Sequence, residues 1–179
     1  MILDARIPYT TDANLGAWYN RALQESSAEW VLFLDHDVFL ANPHWHHVLL
    51  KVIERHPRAG LITCWANRIG RKDQRHREAP QDDDIRAHRA FARRLWEKNG
   101  TKTTRIRSCS GMLMCVRREA WAHVGGCKDG FFDVDSHLSR KIAASPYQLL
   151  RADGLYVYHL YNRSEPSWIE GERISRDFL

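Results

Sequence analysis

Trp30-Val31-Leu32-Phe33-Leu34-Asp35-His36-Asp37 is a run of five apolar residues that ends in two carboxylates one residue apart. Polar sequence precedes it, and an apolar run of this length reads as a strand buried on both faces of a parallel sheet. In open α/β sheets ligands bind beyond the carboxyl ends of the strands, which is where Asp35 and Asp37 then lie. Two carboxylates so close repel each other unless a cation lies between them. Hard oxygen ligands of this kind suit Mg²⁺ or Mn²⁺ bridging to a diphosphate. The competing reading is a solvated turn after a strand, and Asp-x-Asp alone does not decide between the two.

Ahead of this strand, the helical spacing of Leu15, Trp18, Tyr19, Ala22 and Leu23 predicts an amphipathic helix over 15–26, with a short strand over 2–9 before it. Behind it, Asn42-Pro43 starts a helix with the buried stripe Trp45, Val48, Leu49, Val52 and Ile53, ending at His56-Pro57. Leu61–Trp65 reads as the next strand. The polar stretch 66–80 has no periodic apolar pattern and is expected to be a loop, with Arg68, Arg71 and Lys72 placed to close over an anion. Asp82, Asp83 and Asp84 open a helix with Ile85, His88, Phe91, Ala92, Leu95 and Trp96 on one face and Gly100 as its stop. Aromatics at this spacing are core. A strand over 109–116, a short helix over 118–124, a helix running to about Ala144 and a strand over 154–161 complete the order, with a polar tail at 163–179. Alternating strands and helices predict an α/β protein with a mostly parallel central sheet flanked by helices.

A chain of 179 residues fits a single domain, 1–179. Its 44% hydrophobic and 27% charged residues are ordinary for a globular protein, and no apolar run reaches the roughly 20 residues of a membrane span. Met1–Arg6 has no basic start followed by a long apolar core, so no signal peptide is expected. Cys64, Cys109, Cys115 and Cys127 contain no Cys-x-x-Cys pair, which points away from a zinc knuckle or a disulfide framework and toward a cytoplasmic location. The net charge of +5 favours an anionic partner. Much of that excess lies between Arg68 and Arg107, which admits nucleic acid, but the aromatics there follow core spacing and form no stacking platform.

Acidic and imidazole residues fall at the ends of three separate elements: Asp35 with Asp37, Asp133 and Asp135 with His137, and His159. Asn14-Leu15-Gly16-Ala17-Trp18-Tyr19-Asn20, Phe33-Leu34-Asp35-His36-Asp37, Gly111 with Arg117–Gly126, Gly130–Asp135 and Gly154–His159 follow one another in this order. Together they resemble the family 2 glycosyltransferases of the GT-A fold, over roughly residues 12–162. The resemblance implies transfer of a sugar from a nucleotide-sugar donor, with inversion, to a saccharide, lipid-linked or other hydroxyl acceptor. It implies that Asp37, helped by Asp35, holds Mn²⁺ or Mg²⁺ against the donor diphosphate, with His159 as a third ligand. It also implies a base in the 133–137 segment. Counting back from the following helix selects Asp135, and a register two residues earlier selects Asp133.

This sequence departs from the family pattern in two places. Val134 and His137 stand where acids are usual. The chain also reaches the Asn-Leu-Gly helix within its first 16 residues, so most of the usual N-terminal nucleotide-binding segment is missing or rebuilt. Pro8, Tyr9, Asn14, Asn20, Asn67 and Arg68 are the candidate donor contacts. Gly111, Phe132 and His137 are the candidates on the acceptor side. A second copy of the chain completing the site is a further candidate partner. Two other readings compete: a saccharide- or polyanion-binding module without turnover, and a metal-dependent nucleotidyltransferase or phosphohydrolase.

Overall fold

A computed structural model describes residues 3–160. The elements in order are β1 (Leu3–Arg6), α1 (Leu15–Glu25), β2 (Trp30–Leu34), β3 (Val38–Phe39), α2 (Trp45–Arg55), β4 (Ala59–Ala66), α3 (Ile85–Asn99), β5 (Thr103–Arg105), β6 (Leu113–Arg117), α4 (Arg118–His123), α5 (Val134–Ala143) and β7 (Gln148–His159). One sheet runs β1-β2-β6-β4-β7-β3, and β5 also pairs with β7. The tail expected at 163–179 lies outside the described residues.

Strand β2 shows why the sheet is buried on both faces. Trp30 and Leu32 pack with α2 and β4, whereas Val31 and Phe33 pack with α1 and α5. All four side chains are fully enclosed. The apolar stripes of α2 and α3 are buried as their spacing requires. Asp84 caps α3 by accepting the Arg86 N–H at 2.8 Å, and Gly100 ends it with a φ of 52°.

The sheet is mixed, with β1, β2, β4 and β7 running in one direction and β3, β5 and β6 in the other. Only the β1/β2 and β4/β7 pairings are parallel; β6 runs antiparallel between β2 and β4, and β3 and β5 run antiparallel to β7. After α3 and β5 the chain enters the sheet from the carboxyl edge of β2, so Leu113 pairs with Leu34. The reversal delivers the lead-in segment 108–112 to the edge where Asp35 lies: the Asp35 N–H donates to the Met112 carbonyl at 3.1 Å.

Two strand boundaries also differ from expectation. β7 begins at Gln148, six residues before the alternating run, because Arg151 is buried over the Trp65 ring at 3.4 Å and paired with Asp153 at 2.8 Å. The 66–80 segment is a loop, as expected, but it is pinned. Ala66 exchanges backbone hydrogen bonds with Gln74 and His76, and Ile69 and Gln74 are buried.

The first turn of α1 lies directly against the backbone of residues 128–130. Gly16 donates its N–H to the Gly130 carbonyl at 3.0 Å, and a Cβ at Gly16 would sit 1.8 Å from the Lys128 carbonyl oxygen. Gly16→Ala is therefore expected to push this segment off the helix and to cost about 2–3 kcal/mol, measured by denaturant unfolding. Wild-type stability in that variant would overturn the close packing.

Candidate active site

Three elements converge on Asp35, Asp37 and His159. The chain leaves β2 at Leu34 and turns tightly, with the Val38 N–H donating to the Asp35 carbonyl at 3.2 Å. The two residues of β3 then pair with the end of β7, Val38 opposite His159, and the Leu160 N–H donates to the Asp37 carbonyl at 3.1 Å. This register sets His159 Nε2 3.2 Å from Asp37 Oδ1. One ligand atom from each of Asp35, Asp37 and His159 lies within 4.8 Å of the others.

The second ring nitrogen of His159 fixes what Nε2 can do. Nδ1 lies 2.8 Å from the Arg68 carbonyl, which can only accept, so Nδ1 carries the proton. The His159 N–H is held in turn by Asn67 Oδ1 at 2.8 Å. Nε2 then presents a lone pair to a carboxylate oxygen unless it binds a second proton or a cation lies between them. Burial alone would lower the His159 pKa, but the Asp37 carboxylate outweighs it and raises the value. Asp37 shows the reverse balance: burial would raise its pKa, and the bond to His159 brings it below the ordinary range. Asp35 is raised, first by burial and then by the charges of Asp37 and Asp135, against the opposing pull of His159. The oxygen and imidazole donors of the cluster fit a divalent cation such as Mn²⁺ or Mg²⁺.

Opposite this cluster stands the first turn of α5. Asp135 Oδ2 accepts the Gly111 N–H at 2.7 Å and Oδ1 accepts the Ser136 N–H at 2.6 Å. Asp133 adopts the left-handed conformation at the helix start, φ 58°, and its carboxylate is half exposed. Arg140 donates to it at 2.6 Å and Lys128 lies 3.8 Å away. Loss of hydration works the other way, but these cations hold its pKa below the usual carboxylate value. Both aspartates and the whole acid-imidazole cluster line one cavity of about 620 Å³. Two smaller cavities, about 480 and 520 Å³, lie along α3 away from these carboxylates.

The other candidate residues divide between this cavity and the scaffold. Pro8 and Tyr9 line it, Tyr9 being 74% exposed. Asn14 and Asn20 do not. Asn14 caps α1 through the Ala17 N–H and holds the Gly130 N–H, and Asn20 clamps the Cys127 N–H and carbonyl together with the Trp121 indole. Asn67 is buried behind His159. The Arg68 guanidinium reaches the Gln81 carbonyl and Asp83, and Arg71 donates to Ser136 Oγ at 2.9 Å, so these two arginines are tied to the protein and do not form an open lid. Gly111 and Phe132 line the cavity, with Phe132 65% exposed and edge-to-face with Phe131. His137, two residues beyond Asp135 on α5, is not among the residues that line it, and Lys141, Lys128 and Arg140 add to burial in lowering its pKa.

Sequence reasoning missed two residues here. Tyr19 lines the cavity from α1, and a Cβ at Gly111 would lie 3.4 Å from its hydroxyl. Burial and the charges of Asp35 and Asp135 push the Tyr19 phenol well above its ordinary pKa. Gln74, fully buried, bonds to both backbone polar groups of Ser110.

The mixed sheet flanked by helices matches the GT-A fold of glycosyltransferases. The chain belongs to glycosyl transferase family 2, whose model matches residues 7–121. That match takes in Asp35 and Asp37 and stops before Asp133, Asp135 and His159. No curated protein matches the sequence. Solved structures that do match include the mannosyltransferase PcManGT from Pyrobaculum calidifontis in complex with GDP-Man and Mn²⁺. It is 19% identical with a TM-score of 0.52, over 86% of this chain and 38% of that one. The present chain thus spans well under half of that enzyme's length. Among the described residues no helix is long and apolar enough to cross a membrane.

Proposed function

We propose that this chain is a metal-dependent, inverting glycosyltransferase that moves a sugar from a nucleotide-sugar donor to a hydroxyl of a saccharide, lipid-linked or other acceptor. The observation that carries the reading is the convergence of the Asp35/Asp37/His159 cluster and the Asp135 carboxylate on a single cavity. Asp37, Asp35 and His159 Nε2 would hold Mn²⁺ or Mg²⁺, with the Arg68 carbonyl fixing the imidazole tautomer from behind. When bound, the ion supplies charge that stabilises the departing nucleoside diphosphate.

The remaining chemistry belongs to the protein. Asp135 takes the proton of the acceptor hydroxyl as that oxygen bonds to the anomeric carbon, while the bond to the diphosphate oxygen breaks on the opposite face of the sugar. Asp133 is the weaker candidate for this role because two cations already hold its carboxylate. Pro8 and Tyr9 would contact the donor, and Gly111 and Phe132 the acceptor.

The test is release of UDP or GDP from a panel of UDP- and GDP-sugars with Mn²⁺, Mg²⁺ or EDTA, water serving as acceptor. GDP-mannose comes first because the matching mannosyltransferase binds it together with Mn²⁺. The expected result is slow release from one donor that stops in EDTA and returns with the metal. Turnover of a nucleoside triphosphate alone would move the reading to nucleotidyl transfer. A folded protein that releases nothing and whose melting temperature ignores Mn²⁺ would leave a binding module.

A further inference from the structure

We propose that Gln74 is the positioning residue for the Asp135 carboxylate, acting through the Ser110–Gly111 peptide. The inference rests on the reading of Asp135 as the base.

Gln74 lies between exposed neighbours in a polar loop, yet its own side chain is wholly buried. An amide taken out of water is costly unless every polar atom finds a partner. Here each does. Oε1 accepts the Ser110 N–H at 2.7 Å, and Nε2 donates to Thr63 Oγ1 at 2.8 Å and to the Ser110 carbonyl at 3.2 Å. Thr63 is held in place by donating its own hydroxyl to the Leu113 carbonyl at 2.8 Å, so its oxygen is oriented to receive Nε2. The reversed amide would set an NH₂ against the Ser110 N–H, and only one orientation satisfies the site.

The carbonyl that Gln74 holds and the N–H that Asp135 receives belong to the same peptide unit. Among the described residues every peptide is trans, so the Ser110 C=O and the Gly111 N–H point in opposite directions across that plane. Gln74 grips one end of the plane, and the other end donates to Asp135 Oδ2 at 2.7 Å. Rotating the plane would swing the Gly111 N–H off the carboxylate. This segment, 108–112, lies outside the strands, so no sheet ladder fixes its rotation. Hydrogen bonds in series also polarise one another, which strengthens the last donation. Gln74 thereby sets where the carboxylate stands.

The experiment compares Gln74→Met, which keeps the volume and deletes all three bonds, with Asp135→Asn and with Val52→Ala, a core truncation in α2 remote from the cavity. Gln74→Met is expected to lower kcat for metal-dependent donor turnover about 30-fold, as small misplacements of a reacting group do. The donor KM and the Mn²⁺ midpoint should stay within twofold of wild type. Val52→Ala should lower the melting temperature and leave kcat unchanged, which separates loss of stability from loss of positioning. A readout independent of turnover is the Gly111 amide proton resonance, which should move upfield in Gln74→Met as its donation to Asp135 weakens. If Gln74→Met does not fold, Gln74→Asn keeps an amide but is one methylene too short to hold both Ser110 groups, and the same readouts apply. Unchanged kcat and an unchanged Gly111 amide resonance in either variant, with Asp135→Asn inactive, would overturn the role of Gln74 alone. Wild-type turnover in Asp135→Asn would remove the base reading, and the role of Gln74 with it.

Discussion

Asp37→Ala is expected to lose at least about 10³-fold in metal-dependent release of nucleoside diphosphate, equivalent to roughly 4 kcal/mol of transition-state stabilisation. The size follows from what Asp37 does in the cluster. It is the carboxylate that faces His159 Nε2 at 3.2 Å, and its backbone carbonyl receives the Leu160 N–H beside the β3/β7 pairing. Truncation removes one oxygen ligand and also the anion that balances a raised histidine, so the remaining Asp35 and His159 make a two-point site. The checks are the donor-release rate and the rise in melting temperature on titrating Mn²⁺, which should vanish together. A variant that kept its Mn²⁺ shift and lost only turnover would place the metal elsewhere.

The second large effect is expected at Asp135. Asp135→Asn should slow transfer about 10²–10⁴-fold, the range that a general base contributes, while donor affinity and the Mn²⁺ shift persist. Asp133→Asn should stay within a few-fold of wild type, because Arg140 and Lys128 already hold that carboxylate at the rim. The comparison decides between the two registers that the sequence permits. Asparagine at 135 is not geometrically silent. Both carboxylate oxygens accept backbone N–H groups, from Gly111 and Ser136, and an amide has only one oxygen to offer. One N–H must then face an NH₂, at a cost of about 1–3 kcal/mol, so unfolding should be measured beside the rate. If Asp133→Asn were the inactive variant instead, the base assignment would shift two residues.

What the sequence made legible was what repeats or terminates. β2, α2 and α3 were readable because their apolar residues keep strand or helix spacing over several positions. Asp35, Asp37 and His159 were readable because they interrupt apolar runs at the ends where ligands bind in α/β sheets. β3, with two residues, is too short to leave a pattern, and the first half of β7 is masked by Arg151 and Asp153, which are tolerated in the sheet because they pair with each other. The antiparallel entry of β6 is a matter of tertiary path, which local spacing does not record.

Site residues failed for the same kind of reason. Tyr19 sits on the buried stripe of α1 and reads as core, which it also is. Gln74 carries a polar side chain in a polar stretch, and nothing local tells a buried amide from a solvated one. Asn14 and Asn20 were legible as important, but their importance is to hold the segment that leads into Phe131–Asp135 against α1. His137 sits on α5 two residues beyond Asp135 and outside the cavity lining, a placement that motif spacing alone does not give.

The dependence of the acid-imidazole cluster on β7 has a consequence for biosynthesis. Asp35 and Asp37 emerge from the ribosome early, but His159 ends the last strand among the described residues, and β7 also pairs with β3, β4 and β5. A nascent chain that has made β2, β4 and β6 therefore carries an unpaired β4 edge and only two of the three groups of the cluster. The third group of the cluster and the pairing of that edge arrive together, with β7. A fragment that ends before His159 can display neither the assembled cluster nor a paired β4 edge.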